Sequence, residues 1–212
     1  MKYFKMDSGK TTAVIQGYGN LGAVVALRLH EMGVKVIGVS DSKGGIYNES
    51  GLDPHEIGSH KAKTGSVIGM KGAKTITNKQ LLELKCDLLL PCALENQITK
   101  EIADRIKAKV IIEGANGPTT PGAEKTLNKK GIIVVPDILA NAGGVTVSYF
   151  EWVQDLQSYF WTEKDVNDKM DAILTKAFRN VVQLMEKYGV PMRTAAYMLA
   201  IRRVADAMQK RD

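Results

Sequence analysis

Residues 17–22, Gly17-Tyr18-Gly19-Asn20-Leu21-Gly22, place three glycines at a spacing suited to holding a diphosphate. They follow the β-branched run Thr12-Ala13-Val14-Ile15-Gln16 and precede apolar residues at helical spacing. In such a strand–turn–helix the first glycine permits the tight turn and the second lets the backbone approach the phosphates. The third lets helix and strand pack closely. The helix N-terminus adds N–H groups without internal acceptors and the positive end of a dipole. Packed loops produce the same glycine pattern by chance, so it needs support elsewhere in the chain. Asp41 gives that support, ending the next strand-like run nineteen residues after Gly22. A carboxylate there accepts hydrogen bonds from a ribose diol and repels a 2′-phosphate, which predicts a dinucleotide site favouring NAD. Ser42 and Lys43 follow directly, and in a turned loop they would hold the extra phosphate of NADP. A solvated loop lysine is the plainer reading of Lys43.

Three later segments are dense in glycine, asparagine and proline. They are Pro91-Cys92-Ala93-Leu94-Glu95-Asn96, residues 113–119 (Glu-Gly-Ala-Asn-Gly-Pro-Thr) and residues 136–144 (Pro-Asp-Ile-Leu-Ala-Asn-Ala-Gly-Gly). Each leaves an apolar strand-like run, so all three emerge at the carboxyl edge of a sheet, where open α/β folds bind ligands. A methyltransferase shares the glycine-rich first loop and the acid after the second strand, but these three loops tell against it. Asn116 and Asn141 carry amides that suit an amide ligand such as nicotinamide; Asx-type turns account equally for both.

The elements that must position these groups follow from periodicity. Residues 20–32 form a helix stopped by Gly33, and residues 34–40 a second strand, closing a βαβ unit of about 30 residues. Residues 42–77 are irregular apart from a helix over 54–63. Short helix 78–84, strand 87–90, helix 99–107, strand 109–113, helix 121–130 and strand 132–135 follow. Apolar strands separated by amphipathic helices specify a parallel sheet covered on both faces. The fold class is therefore α/β: a Rossmann-type, doubly wound, mainly parallel sheet with C-terminal helices. One domain is expected over residues 1–212, with residues 162–210 as a helical extension. Thr162-Glu163-Lys164-Asp165 reads as a capping box. Val166, Met170, Ile173, Ala177, Val181, Leu184 and Tyr188 then form one stripe, and Met198, Ile201, Val204 and Met208 another. Both stripes are expected to face a core.

Composition excludes several classes. No apolar run reaches the ~20 residues of a membrane span, and the first residues lack the apolar stretch of a signal peptide, so the expectation is a cytoplasmic protein without a membrane partner. The net charge of +6 is dispersed among acids, with no Arg-rich run interleaved with aromatics, which argues against nucleic acid. Cys86 and Cys92 read as small buried hydrophobes. His30, His55 and His60 have no partners at ligand spacing, so no metal is expected.

The glycine motif, Val39-Ser40-Asp41-Ser42-Lys43-Gly44-Gly45-Ile46, residues 113–121 and residues 136–157 together resemble the glutamate/leucine/phenylalanine/valine dehydrogenase family. Within it the hexameric glutamate dehydrogenases are most similar, over about residues 11–211. Only the family's C-terminal, nucleotide-binding domain is matched. The resemblance implies reversible oxidative deamination of L-glutamate to 2-oxoglutarate and ammonia, with hydride passing to NAD(P). It puts Ala93 and Glu95 along the cofactor, Asn116 near the nicotinamide ribose, and Asn141 facing the cofactor. Val145 and Ser148 match positions contacting the substrate side chain, and a hydroxyl at Ser148 favours glutamate's distal carboxylate over leucine or valine. A helix serine bonding its own backbone is the alternative. The family's catalytic lysine and aspartate belong to an N-terminal domain, so no catalytic residue is expected in this chain. It should bind dinucleotide without turnover. That N-terminal domain is the implied partner, and full-length family members form homo-hexamers. Apolar surface on the last two helices, rich in Met170, Met185, Met198 and Met208, would favour self-association. A self-standing dinucleotide-binding module, or the same domain of a leucine, phenylalanine or valine dehydrogenase, are the other readings.

Overall fold

Four of the five residues of strand β1 (Thr12–Gln16) are buried, and a strand buried on both faces belongs in the middle of a sheet. The computed structural model, which describes residues 3–210, places it there. The outermost residues of the expected domain, and Arg211 at the end of the resemblance, lie outside the described residues. Strand β1 pairs in parallel with β2 (Lys35–Asp41) on one side and β5 (Leu88–Pro91) on the other. Beyond β2 lie β3 (Gly44–Tyr47), antiparallel to β2, and β4 (Lys74–Ile76), antiparallel to β3 and so running in the direction of β2. Beyond β5 lie β6 (Val110–Ile112), parallel to it, and β7 (Ile133–Val135). Among the described residues this is one seven-stranded sheet of Rossmann type. The chain builds outward from β1 through β2, β3 and β4, then returns to β5 on the opposite side. The carboxyl end of β1 is thus the topological switch point.

Strands β3 and β4 fall in the stretch read from sequence as irregular. They are four and three residues long, one opens Gly44-Gly45 and the other Lys74-Thr75, and neither offers an apolar alternation to detect. Two compact units divide the chain, one ending at Val134 and the other beginning at Val135.

In the first unit, helix α1 (Asn20–Glu31) follows β1, α2 (Pro54–Thr64) follows β3, and α3 (Asn78–Leu82) follows β4. Helices α4 (Lys100–Arg105) and α5 (Pro121–Lys129) flank β6 in sequence. Val14, Leu89 and Ile111 stand side by side on β1, β5 and β6 and pack with Ile98, Ala103, Ile106, Ala123 and Leu127. Asp53 caps α2 with Pro54 at its first position, and Thr77 with Gln80 forms a capping box on α3. At the other end of α4, the Lys130 ammonium donates to the carbonyls of Ala103, Asp104 and Ile106 at 2.8–2.9 Å. Those are the groups a helix C-terminus leaves without partners. Asp87 joins three strands at the opposite edge of the sheet from the glycine turn. It accepts from Thr12 N and Thr12 Oγ1 at 2.8 and 2.9 Å and pairs with Lys109 at 2.6 Å. Burial alone would raise its carboxyl, but the Lys109 and Thr12 hydrogen bonds outweigh that and hold it below the usual aspartate value.

The second unit is helical: α6 (Asp137–Ala140), α7 (Gly143–Gln157), α8 (Glu163–Tyr188) and α9 (Met192–Gln209). The capping box read at residues 162–165 forms, with Thr162 and Asp165 exchanging hydrogen bonds. Gln154 is buried and organises the turn after α7: its Oε1 accepts from Trp161 N at 2.6 Å and its Nε2 donates to Phe150 O. Arg193 pairs with Asp137 at 2.9 Å, both side chains mostly buried. Helix α9 departs from expectation. Its buried residues are Met192, Ala195 and Ala196, whereas Ile201, Val204 and Met208 of the predicted stripe are 62–67% exposed. The buried residues fall on its first turns, and the predicted stripe lies on a different face. The α8 stripe is divided too, with Val181 buried but Ile173 and Tyr188 about half exposed. Among the described residues no helix is long and apolar enough to cross a membrane.

Candidate functional site

The glycine turn owes its shape to contacts that side chains would destroy. Gly17 has φ +93°, and a Cβ there would stand 2.8 Å from the backbone of Ala93. At Gly22 a Cβ would fall 1.8 Å from Gly17 O, so the first turn of α1 rests directly on the loop. Gly19 is different: a Cβ would meet nothing within 4 Å. The second glycine therefore faces open space in front of the α1 N-terminus, where it caps the helix without a side-chain hydrogen bond. The first N–H groups of a helix have no acceptor four residues back, and a diphosphate in that space would receive them. Asn20 and Leu21, the first residues of α1, are exposed beside this opening.

Three interactions fasten the turn from behind. Gly17 N donates to Ser40 O at 3.1 Å, the buried Tyr18 hydroxyl donates to Pro54 O at 2.9 Å, and the Lys61 ammonium donates to Tyr18 O. Burial, with Asp53 nearby, pushes the Tyr18 phenol up to about 12, so it remains a donor at neutral pH. Tyr18 is thus an anchor pointing away from the opening rather than a wall of it.

Asp41 ends β2 beside this turn. Its Oδ2 accepts from Ser66 Oγ at 2.9 Å and Val67 N at 2.8 Å, and its Oδ1 from Lys43 N at 2.9 Å. Burial alone would raise the carboxyl; the Val67 and Lys43 amides, the Ser66 hydroxyl and the Lys61 charge together lower it. Asp41 is therefore a fixed negative charge. A carboxylate offers about four acceptor positions, so three donors leave room for one ribose hydroxyl. The Ser42 and Lys43 side chains are exposed.

On the other side of β1, Ala93 and Glu95 are exposed on the loop after β5 and Asn116 on the loop after β6. These loops are laced together: Asn96 N donates to Gly117 O and Ile98 N to Pro118 O, both at 2.8 Å. Gly114 leaves space for Cys92, whose Sγ lies 2.6 Å from where a Cβ would be. Burial pushes the Cys92 and Cys86 thiols up to about 12, so both remain protonated, and both are free.

The first unit thus gathers the residues from Gly17 to Gly22, Asp41, Ser42, Lys43, Ala93, Glu95 and Asn116 at one edge of its sheet. In the second unit, Asn141 is half-buried at the C-cap of α6, where its N donates to Asp137 O. Val145 and Ser148, three residues apart on α7, share one exposed face. Sequence reasoning missed Gln16, Lys61 and Ser66, whose partners are remote in the chain.

A sequence profile of the Glutamate/Leucine/Phenylalanine/Valine dehydrogenase family matches residues 1–212. The chain belongs to this family. It is 53% identical over its full length to a glutamate dehydrogenase of Thermotoga maritima, of which it covers 51%. It is 48% identical to the NADP-specific glutamate dehydrogenase A1 of Halobacterium salinarum, over 98% of this chain and 50% of that protein. Among solved structures, the leucine-bound hetero-hexameric glutamate dehydrogenase of Thermus thermophilus superposes with a TM-score of 0.92 at 33% identity. That match covers all of this chain and 50% of the other. The chain spans about half the length of the curated relatives it matches.

Proposed function

We propose that this chain is the dinucleotide-binding half of a glutamate dehydrogenase, with residues 1–212 acting as one domain and NAD as its preferred cofactor. The observation that carries the reading is the open Gly19 position before α1, at the switch point of the sheet and flanked by the charged Asp41. Backbone N–H groups of residues 19–22 hold the pyrophosphate, and the remaining acceptor position of Asp41 takes a hydroxyl of the adenosine ribose. A 2′-phosphate there would meet a fixed negative charge; Lys43, exposed beside it, offsets part of that repulsion. Family membership does not decide the preference, since the Halobacterium relative is NADP-specific.

With Asp41 and the adenosine half on the β2 side, the nicotinamide half falls to the loops after β5 and β6. There Ala93, Glu95 and Asn116 line it, and the family resemblance adds Asn141 to the cofactor-binding residues. Val145 and Ser148 contact the substrate side chain, Ser148 through a hydroxyl suited to a distal carboxylate. When bound, the nicotinamide supplies the hydride acceptor for deamination of L-glutamate to 2-oxoglutarate. The lysine and aspartate of the chemistry belong to the half of the family's chain that the relatives carry in addition. Hydride transfer needs both reacting carbons and the acid–base group held in reach. The purified chain with NAD and glutamate should therefore form no NADH. Fusion to the N-terminal half of the Thermotoga relative should produce glutamate-dependent NADH formation, and a Ser148→Val fusion should lose selectivity for glutamate over leucine. Turnover by the unfused chain would contradict this division of labour.

A further inference from the structure

We infer that Gln16 is a positioning residue, whose buried amide ties the glycine turn to the loop bearing Ala93 and Glu95 and so fixes the width of the cofactor cleft. The inference rests on the dinucleotide reading and assigns a role to a residue outside the motif. Gln16 is the last residue of β1, is 2% exposed, and immediately precedes Gly17. Its Nε2 donates to Gln97 Oε1 at 2.9 Å, and Gln97 Nε2 donates to Glu95 O at 3.2 Å. Two side-chain amides therefore link the strand end to the backbone of Glu95. Backbone contacts run along the same seam: Cys92 N donates to Gln16 O at 2.7 Å, and Ala93 presses on Gly17.

Packing alone does not account for this amide. The three residues before it, Ala13-Val14-Ile15, are apolar and fully buried, and an apolar residue would continue them. Instead Gln16 brings a buried Oε1 that finds no hydrogen-bond partner among the described residues, a destabilising feature. The benefit lies in the connection. Without it the loop keeps its backbone seat at Cys92 but loses its tie near Glu95, on the side of β1 away from Asp41.

The geometry makes the effect one-sided. The glycine turn and Asp41 hold the pyrophosphate and adenosine half; the tethered loop faces only the nicotinamide half. Calorimetric titration of the chain and its Gln16→Leu and Gln97→Leu variants with NADH and with ADP-ribose, which lacks nicotinamide, tests this. Each variant should bind NADH about fivefold more weakly, the scale of one lost hydrogen bond. ADP-ribose affinity should change less than about twofold, and the double variant should be no weaker than either single one. Unchanged NADH binding, or equal losses for both ligands, overturns the inference. Gln97 is only half-buried, so its variant keeps the test decisive should Gln16→Leu fail to fold. A parent chain that binds neither ligand overturns the dinucleotide reading itself.

Discussion

The two units differ in how fully their central elements are enclosed. In the first, Leu89, Ile111 and Leu127 are fully buried; in the second, Trp152, Phe160 and Ile201 are 59–72% exposed. A sheet covered on both faces encloses whole strands, whereas α7, α8 and α9 of the second unit each bury two or three residues and leave the remainder outside. The contrast bears on function. The residues proposed to hold the dinucleotide sit on the unit built around the sheet. Those proposed to meet the substrate, Val145 and Ser148, sit on a helix whose exposed face also carries Trp152.

Substitutions can break or sharpen this comparison. The largest effect is expected in the sheet: Leu89→Ala should cost about 2–5 kcal/mol in urea unfolding, through lost burial and the cavity left behind. Gly22→Ala should follow, costing about 1–3 kcal/mol because its Cβ would overlap Gly17 O. It should also abolish NADH-induced quenching of intrinsic fluorescence. Asp87→Asn comes next, at about 1 kcal/mol at pH 7. The folded carboxyl sits below its unfolded value of 3.8, so its contribution is complete above that pH and fades as pH falls beneath it. The stability gap between parent and variant should narrow progressively as pH falls below 3.8; a constant gap would mean that the charge is irrelevant. Smallest of all, Trp152→Ser and Ile201→Ser should alter stability by no more than about 0.5 kcal/mol. Sedimentation should nonetheless show reduced self-association, and a large stability loss would mean that these faces are already covered.

How far the sequence discloses this arrangement depends on the range of each interaction. The β1–α1–β2 unit was legible because a β-branched run, a glycine turn and a helical stripe are all local. Strands β3 and β4 were not, since Gly44-Gly45 and Lys74-Thr75 become strands only by pairing along β2 and each other. Periodicity marked faces on α8 and α9 but carries no information on what covers them, and Ile201, Val204 and Met208 proved to be outside. Of the residues proposed for the cofactor cradle, Gly17, Gly19, Gly22 and Asp41 are picked out by spacing alone. Ser66 and Val67, which hold the Asp41 carboxylate, lie 25 and 26 residues further on, and Gln97 lies 81 residues from Gln16. No local pattern reveals such pairs.

The central claim, a dinucleotide cradle at the carboxyl end of β1 with Asp41 selecting the ribose, is tested most directly by calorimetric titration of this chain with NAD and NADP. The account predicts saturable binding of NAD with a weaker response to NADP. No heat with either cofactor would contradict the cradle, and tighter binding of NADP would contradict the role assigned to Asp41.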